Sequence, residues 1–187
     1  MWEIATEIKE GGFTTHLMKP VSYFQLTFIR NITWRIIRPL IFLPFLIVFL
    51  YVYRSYLTDA KVYLGWEVWA AIFLGHLVSF TFVVMMAMIA FFTQEVMSIF
   101  ELYYVPMLFL SGGLFPVSMM PDWAVQLAKV FPFYYTVGAP TEMIIGRVPP
   151  SQFLTILGMQ VLWTALSYAG ARGLWAVGVK RYSAVGM

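Results

Sequence analysis

Residues Phe109 to Arg147 read FLSGGLFPVSMMPDWAVQLAKVFPFYYTVGAPTEMIIGR, and this stretch decides the fold. It begins as an apolar helix of the kind that crosses a membrane, and the run Ser111-Gly112-Gly113 and then Pro116 interrupt it. A helix that is only an anchor has no need of such breaks, because backbone groups freed in lipid cost several kcal/mol unless protein buries them or they line a wet cavity. The stretch therefore indicates a membrane protein that handles something near one membrane surface.

Composition gives the class of the whole chain. Of its 187 residues, 61% are hydrophobic and 11% are charged, whereas a soluble domain is about half apolar and about a quarter charged. These values predict an all-α integral membrane protein in a lipid bilayer. The basic residues never cluster into a stripe, so the sequence predicts no nucleic-acid partner.

The sequence predicts no catalytic residue, no cofactor site and no metal site. The absence of cysteine excludes disulfides, thiolate metal sites and cysteine nucleophiles. No glycine-rich loop ends in Gly-Lys-Ser or Gly-Lys-Thr, and no Ser-His-Asp arrangement stands out. If the protein uses ATP, another chain must bind it, so we do not expect the chain itself to be an enzyme.

Four apolar segments predict membrane spans within a single membrane domain, 1–187. The spans are predicted at 34–54, 68–92, 95–115 and 148–171. Pro39 and Pro44 are expected to kink or delay the first span. The third span is short for a bilayer, which needs about 20 residues, unless its helix starts near Glu95.

The loop charges predict the orientation of the spans. Four spans place both termini on one side, with regions 1–33 and 172–187, and leave 116–147 on the other. The terminal side carries Lys9, Lys19, Arg30, Arg35, Arg38, Arg172, Lys180 and Arg181; the opposite side carries Arg54, Lys61, Lys129 and Arg147. Since Lys and Arg favour the cytoplasmic face, we expect a multi-pass protein of the cytoplasmic (inner) membrane with both termini cytoplasmic.

The outer region, 116–147, predicts an amphipathic helix followed by a re-entrant dip before the last span. Asp122, Gln126 and Lys129 share one face of this helix, whereas Trp123 and Leu127 share another. Such a helix lies flat on the membrane or packs as a lid over the spans.

The N-terminal segment predicts a second amphipathic helix, on the cytoplasmic side. Its acidic face carries Glu3, Glu7 and Glu10, and its apolar face carries Ile4, Ala5 and Ile8. Gly11-Gly12 is expected to end the helix. Spacing alone does not distinguish a helix that rests on the membrane boundary from one that docks a soluble partner.

A few polar residues near or within the spans have two interpretations. His76 lies inside the second span, where an ionisable residue is either a functional group or a neutral histidine bonded to a neighbouring helix. Glu95 and Glu101 are either a proton relay or interfacial side chains. The small residues Ala165, Ala169 and Gly173 recur every four positions and predict close packing against another helix or subunit.

Three motifs in order carry a resemblance to a known family. The run LSGGLFPVSMMPDW, then FPF, then GAPTEMIIGR resembles the permeases of the type-two ABC exporter superfamily, in the viologen or multidrug exporter branch. The opening EIATEIKEGGFTTHLMKPVSYF resembles the cytoplasmic loop after that family's second span, and KRYSAVGM resembles its C-terminal tail. Members usually have six spans, so the first two are expected to be absent here.

The resemblance implies the permease subunit of an ATP-driven ABC exporter, which pairs with a second permease, identical or different, and with an ABC ATPase subunit. Carried over by position, the ATPase-coupling region comprises Glu7, Lys9, Glu10, Gly11 and Gly12. The bend at the outer end of the pathway comprises Ser111, Gly112, Gly113 and Pro116, and the lid runs from Trp123 to Phe131. The apolar, aromatic outer segment favours hydrophobic or amphipathic cargo.

Two other functions remain open from the sequence. One is an ion- or proton-coupled carrier that uses His76, Glu95 or Glu101 as titrating groups, since discontinuous helices also mark such carriers. The other is a truncated membrane scaffold that does not transport.

Overall fold

The protein is mainly helical in the part that the computed structural model describes, residues 2–56, 62–93 and 95–182. No strand occurs in these ranges, which confirms the all-α prediction. Lys61, which counted towards the predicted orientation, and residues 183–187 of the predicted cytoplasmic tail lie outside the described residues.

The helices follow the chain in the order α1 (Trp2–Lys9), α2 (Phe13–Leu17), α3 (Tyr23–Val52), α4 (Trp66–Met88), α5 (Val96–Leu110), α6 (Asp122–Val130), α7 (Pro132–Thr136), α8 (Gly138–Ile144) and α9 (Phe153–Arg181). Short 3-10 turns lie at Arg54–Tyr56, Ile89–Phe91, Val117–Met119 and Pro150–Gln152. Helices α3, α4 and α9 are long and apolar enough to cross a membrane, and α5 is a shorter apolar helix of 15 residues. These helices confirm the class of membrane protein.

The chain forms two compact units, residues 15–62 and residues 1–14 with 63–187. The first unit is dominated by α3, a 30-residue helix that begins at Tyr23, before the start predicted for the first span. Pro39 and Pro44 lie inside this helix, which continues through both of them. Because a proline removes only one helical hydrogen bond, neighbouring turns can hold the helix together across it.

The second unit is built around α4 and α9, which run parallel and in contact along their length. The side chain of Gln160 reaches Ala71, and a Cβ on Gly170 would lie 2.6 Å from Met85 Sδ. Residue numbers rise together on the two helices, so both begin at the same end. We call the two ends of this α4–α9 pair its amino end and its carboxyl end.

The hydrophobic core of this unit lies at the amino end of the α4–α9 pair. It joins the first turns of both helices to the segment between α5 and α9, through Val68, Ala71, Val117, Ala128, Tyr134, Tyr135, Ala139, Met143, Val148, Phe153 and Ile156. Rings of Phe82, Tyr103 and Phe133, with centroids 5.5–6.0 Å apart, tie α4 and α5 to α7. Helix α1 lies at the carboxyl end, against the turn Ile89–Phe91.

Candidate functional site

The broken segment, residues 111–147, starts with a tight bend after α5. The Ser111 side chain is buried and its Oγ accepts a hydrogen bond from the Gly113 amide at 3.2 Å. Gly112 has φ of +79°, a left-handed conformation that favours glycine. A Cβ on Gly138 would lie 2.6 Å from the Ser111 carbonyl oxygen, so the bend packs directly against the start of α8. The sequence predicts the bend but gives no sign of this partner.

Helix α6 packs through its alanines. Ala124 and Ala128 are buried, whereas Trp123 is 70% exposed and Leu127 is 41% exposed. The apolar face expected from the sequence is therefore the uncovered face of the helix within this chain. Phe131, at the end of the predicted lid, is 39% exposed, and Pro116 beyond the bend is half-buried. An uncovered apolar face is typical of a helix that lies at a membrane surface.

Side chains replace the backbone hydrogen bonds that the breaks remove. The Tyr135 hydroxyl donates to the Lys129 carbonyl at the end of α6, at 2.8 Å, and Thr136 Oγ1 donates to the Phe133 carbonyl at 2.7 Å. Carbonyls at a helix end lack helical partners, and in a membrane protein a bare one is costly. These bonds let α7 remain a five-residue helix.

Gln160 completes this hydrogen bonding from α9. It is fully buried, and its Nε2 donates to the carbonyls of Tyr135 at 2.8 Å and Ala71 at 2.9 Å. Both partners are acceptors, so the amide atom between them is the nitrogen. One side chain thus joins α4, α7 and α9. A Cβ on Gly75 would lie 2.8 Å from the Thr136 carbonyl oxygen, which shows how closely α7 approaches α4.

Tyr134 and Glu142 form a buried polar pair inside the broken segment. The Tyr134 hydroxyl donates to Glu142 Oε2 at 2.8 Å, and Glu142 Oε1 is buried without a hydrogen-bond partner. Burial, and then the bond to Glu142, raise the pKa of the Tyr134 phenol well above its ordinary value. Burial also raises the pKa of Tyr135. Both phenols therefore stay neutral and act as donors at physiological pH.

A small cavity opens beside this pair. Its volume is about 120 Å³, and its lining is formed by Lys129, Tyr134, Tyr135, Gln152, Thr155 and Ile156. Sites for drug-sized ligands span about 300–1,000 Å³, whereas a water takes about 30 Å³. The cavity therefore suits a few waters rather than a cargo molecule.

The predicted coupling region lies at the carboxyl end of the α4–α9 pair. Ile4, Ala5 and Ile8 are buried, and α1 contacts α4, α5 and the turn between them. Glu10 is exposed, whereas Glu7 and Lys9 are half-buried. Gly11 has φ of +80° and, with Gly12, separates α1 from the buried Phe13. The structure thus places the coupling region and the broken segment at opposite ends of the pair.

The remaining polar candidates are dispersed. His76 is 8% exposed within α4, whereas Glu95 and Glu101 are exposed at and after the start of α5. Among the described residues, no group of three His, Asp or Glu side chains could hold a metal ion. Ala165 and Ala169, with Gly173, lie exposed along α9.

Comparison with known proteins identifies the family. The family described as "ABC-2 family transporter protein" matches residues 1–186. The chain belongs to the ABC-2 transporter family. Neither the curated proteins nor the solved structures gave a significant match. Membership confirms the resemblance seen in the sequence, and it makes this chain a multi-pass membrane permease of an ABC transporter, a transport subunit.

Several residues of this ABC-2 permease that hold the site together were missed by the sequence interpretation. Gln160 lies in an apolar run, where a lone amide gives no signal of its partners. Neither Glu142 nor Phe13 was singled out. Glu142 and Phe13 lie within two residues of Pro140 and Gly12, a signal that could have found them, whereas Gln160 lies inside the continuous helix α9.

Proposed function

We propose that this ABC-2 permease is the membrane subunit of an ATP-driven exporter that works with an ABC ATPase subunit and a second permease. The observation that carries the proposal is the separation of the coupling region from the broken segment, at opposite ends of the α4–α9 pair. An exporter driven by a soluble ATPase needs an input on the cytoplasmic face and an exit on the other. The arrangement of the two regions meets that need.

The orientation follows from this assignment. The carboxyl end of the α4–α9 pair would face the cytoplasm, with both termini, and the broken segment would lie at the outer surface of the inner membrane. The proposed spans, 34–54, 68–92, 95–115 and 148–171, overlap α3, α4, α5 and α9. The excess of Lys and Arg on the terminal side supports the same orientation.

Helix α1 is suited to contact the ATPase subunit. Its apolar side is held against the bundle through Ile4 and Ile8, while Glu3 and Glu10 are exposed. Charged side chains on a helix fixed in this way steer a partner and set its register. We therefore propose that Glu7, Lys9, Glu10, Gly11 and Gly12 form the coupling region.

The second permease would approach α9, and cargo would leave past the bend. Ala165, Ala169 and Gly173 are exposed, and small residues allow two membrane helices to approach closely. Ser111, Gly112, Gly113 and Pro116 would shape the outer end of the pathway, under a lid from Trp123 to Phe131. The exposed aromatic side chains of this lid support hydrophobic or amphipathic cargo.

Copurification tests the proposal. We expect the tagged chain, coexpressed with ABC ATPase subunits of its host, to retain one of them. The double variant Glu3→Lys/Glu10→Lys should lose it because the exposed acidic side of α1 is reversed. Asp122→Lys, which changes an exposed acid at the amino end, should retain it. A folded chain that never retains an ATPase subunit would overturn the proposed function.

A proton- or ion-coupled carrier is the second candidate, and the burial of His76 in α4 is the observation that favours it. Glu95 and Glu101, its other titrating groups, are exposed, which weakens it. Transport that continues in His76→Ala and Glu101→Gln but stops on ATP depletion would exclude the carrier. Transport that survives ATP depletion would support it.

A further inference from the structure

Phe13, directly after the coupling region, is fully buried in a cluster of aromatic rings. Its ring meets Phe91, Trp175 and Tyr182 edge to face, with centroids 5.4, 5.3 and 5.4 Å away. We call these three rings the aromatic socket. Edge-to-face contacts at such distances are favourable for aromatic side chains. Phe13 is therefore fixed at the carboxyl end of the α4–α9 pair.

The aromatic socket joins the ends of α4 and α9. Phe91 ends the turn that continues α4, Trp175 lies near the end of α9, and Tyr182 directly follows α9. The Phe91 ring also meets Trp175 at 6.4 Å and Tyr182 at 6.0 Å. A Cβ on Gly178 would lie 2.5 Å from the Phe91 ring. A displacement of Phe13 would therefore reach both helices at once.

The connection between α1 and Phe13 is short and turns sharply. Gly11 adopts φ of +80°, and the chain enters the socket two residues later. Thr14 adds a second link, because its Oγ1 lies 3.4 Å from the Tyr182 hydroxyl oxygen. Helix α1 itself contacts α4 and α5, whereas the Phe13 ring contacts the end of α9. Through Phe13, the N-terminal segment is connected to α9.

We propose that Phe13 is a positioning residue that transfers movement of the coupling region to α4 and α9 together. The inference rests on the proposed function, since it requires an ATPase subunit that moves α1. Helices α4 and α9 would respond as one body, because they are in close contact along their length, from Gly75 and Gln160 to Phe91 and Gly178. The movement would thereby reach the amino end of the pair, where Gln160 holds the broken segment.

Spin labels on α9 and on α3, which belongs to the other unit, test this transfer. The chain has no cysteine, so Val48→Cys on α3 and Leu154→Cys at the amino end of the pair give two specific labelling sites. Both positions are exposed, Leu154 by 70%. The distance between the labels is measured by double electron–electron resonance in the complex with the copurified ATPase subunit, with and without ATP and magnesium. The parent should show an ATP-dependent shift in distance.

The socket variants should lose this shift while retaining the ATPase subunit. Phe13→Leu keeps an apolar side chain and removes the ring, so it serves if Phe13→Ala fails to fold; Trp175→Leu removes a different ring of the same socket. Phe73→Ala, an exposed phenylalanine on α4, should keep the shift. A purely structural role for Phe13 would lower thermal stability but leave the shift unchanged.

Two failures are distinguishable. If the distance between the labels shifts with ATP in Phe13→Leu and Trp175→Leu as it does in the parent, the inference is wrong and the proposed function stands. If the parent retains no ATPase subunit, the proposed function is wrong and the inference fails with it.

Discussion

Replacing Gln160 with methionine removes the two hydrogen bonds that hold α7 between α4 and α9, and keeps the length and apolar stem of the side chain. The Tyr135 carbonyl then stays buried without its donor, which costs about 1–3 kcal/mol. The Ala71 carbonyl loses less, because it lies inside α4 and keeps its helical partner. In the opposite direction, Gln160 Oε1 is buried without a partner, and its removal recovers about 1 kcal/mol.

The loss should exceed the gain, because leaving a buried carbonyl without a donor costs up to about 3 kcal/mol. We expect Gln160→Met to lower the free energy of unfolding by about 1–2 kcal/mol. Gln160→Glu should cost more, because it places carboxylate oxygens against two carbonyl oxygens in a fully buried position. Thermal unfolding in detergent or nanodiscs measures both variants, and Gln126→Met, at an exposed glutamine of α6, is the matched control.

A second measurement separates the local effect from general destabilisation. Val137→Cys, at an exposed position between α7 and α8, supplies the single thiol of the chain. Labelling of this thiol at a temperature well below unfolding should become faster when Gln160→Met is added, because α7 is released from α4. Unchanged unfolding temperature together with unchanged labelling would refute the assigned role of Gln160.

Three further predictions concern the same segment. Gly75→Ala should destabilise the protein by about 1–3 kcal/mol, because the new Cβ meets the Thr136 carbonyl oxygen. Gly158→Ala, on open helix surface, should instead stabilise the protein by up to about 1 kcal/mol. Equal effects of the two variants on the free energy of unfolding would contradict the close approach of α7 to α4. Gly112→Ala should cost about 1–2 kcal/mol because φ is +79°, and a stability equal to that of the parent would argue against the bend. The raised pKa of Tyr134 means that its neutral phenol stabilises the fold fully below about pH 10 and that this contribution is lost progressively above it. Tyr134→Phe should therefore lose less stability than the parent on alkaline titration. Parallel curves of stability against pH for the two proteins would disprove this role of Tyr134.

The sequence predicted features that arise from local spacing. The Gly-Gly bend, the amphipathic helix that carries Asp122 and Lys129, and the apolar face of α1 follow from helical periodicity and from glycine, and each has its counterpart in the structure. The positions of Ser111, Gly112, Gly113 and Pro116 in a bend belong to this group. Their function, like that of the coupling region, stays a prediction.

Contacts between distant parts of the chain were not predictable in this way. Periodicity shows that α6 is amphipathic, but not that Ala124 and Ala128 would be its packed positions and Trp123 its exposed one. Nor does it show which carbonyl a break will free or which side chain will bond it. Gln160 and Tyr135 are 25 residues apart, and only the parallel packing of α4 and α9 brings the two together.

The position of Gln160 in the chain has a consequence for biosynthesis. Synthesis runs from the N-terminus, so the Tyr135 carbonyl leaves the ribosome 25 residues ahead of its donor. Until α9 follows, the segment has freed carbonyls that lipid cannot satisfy. Its docking must therefore be a late, post-insertion step, and a chain truncated before residue 160 and released from the ribosome should keep α7 open to added protease.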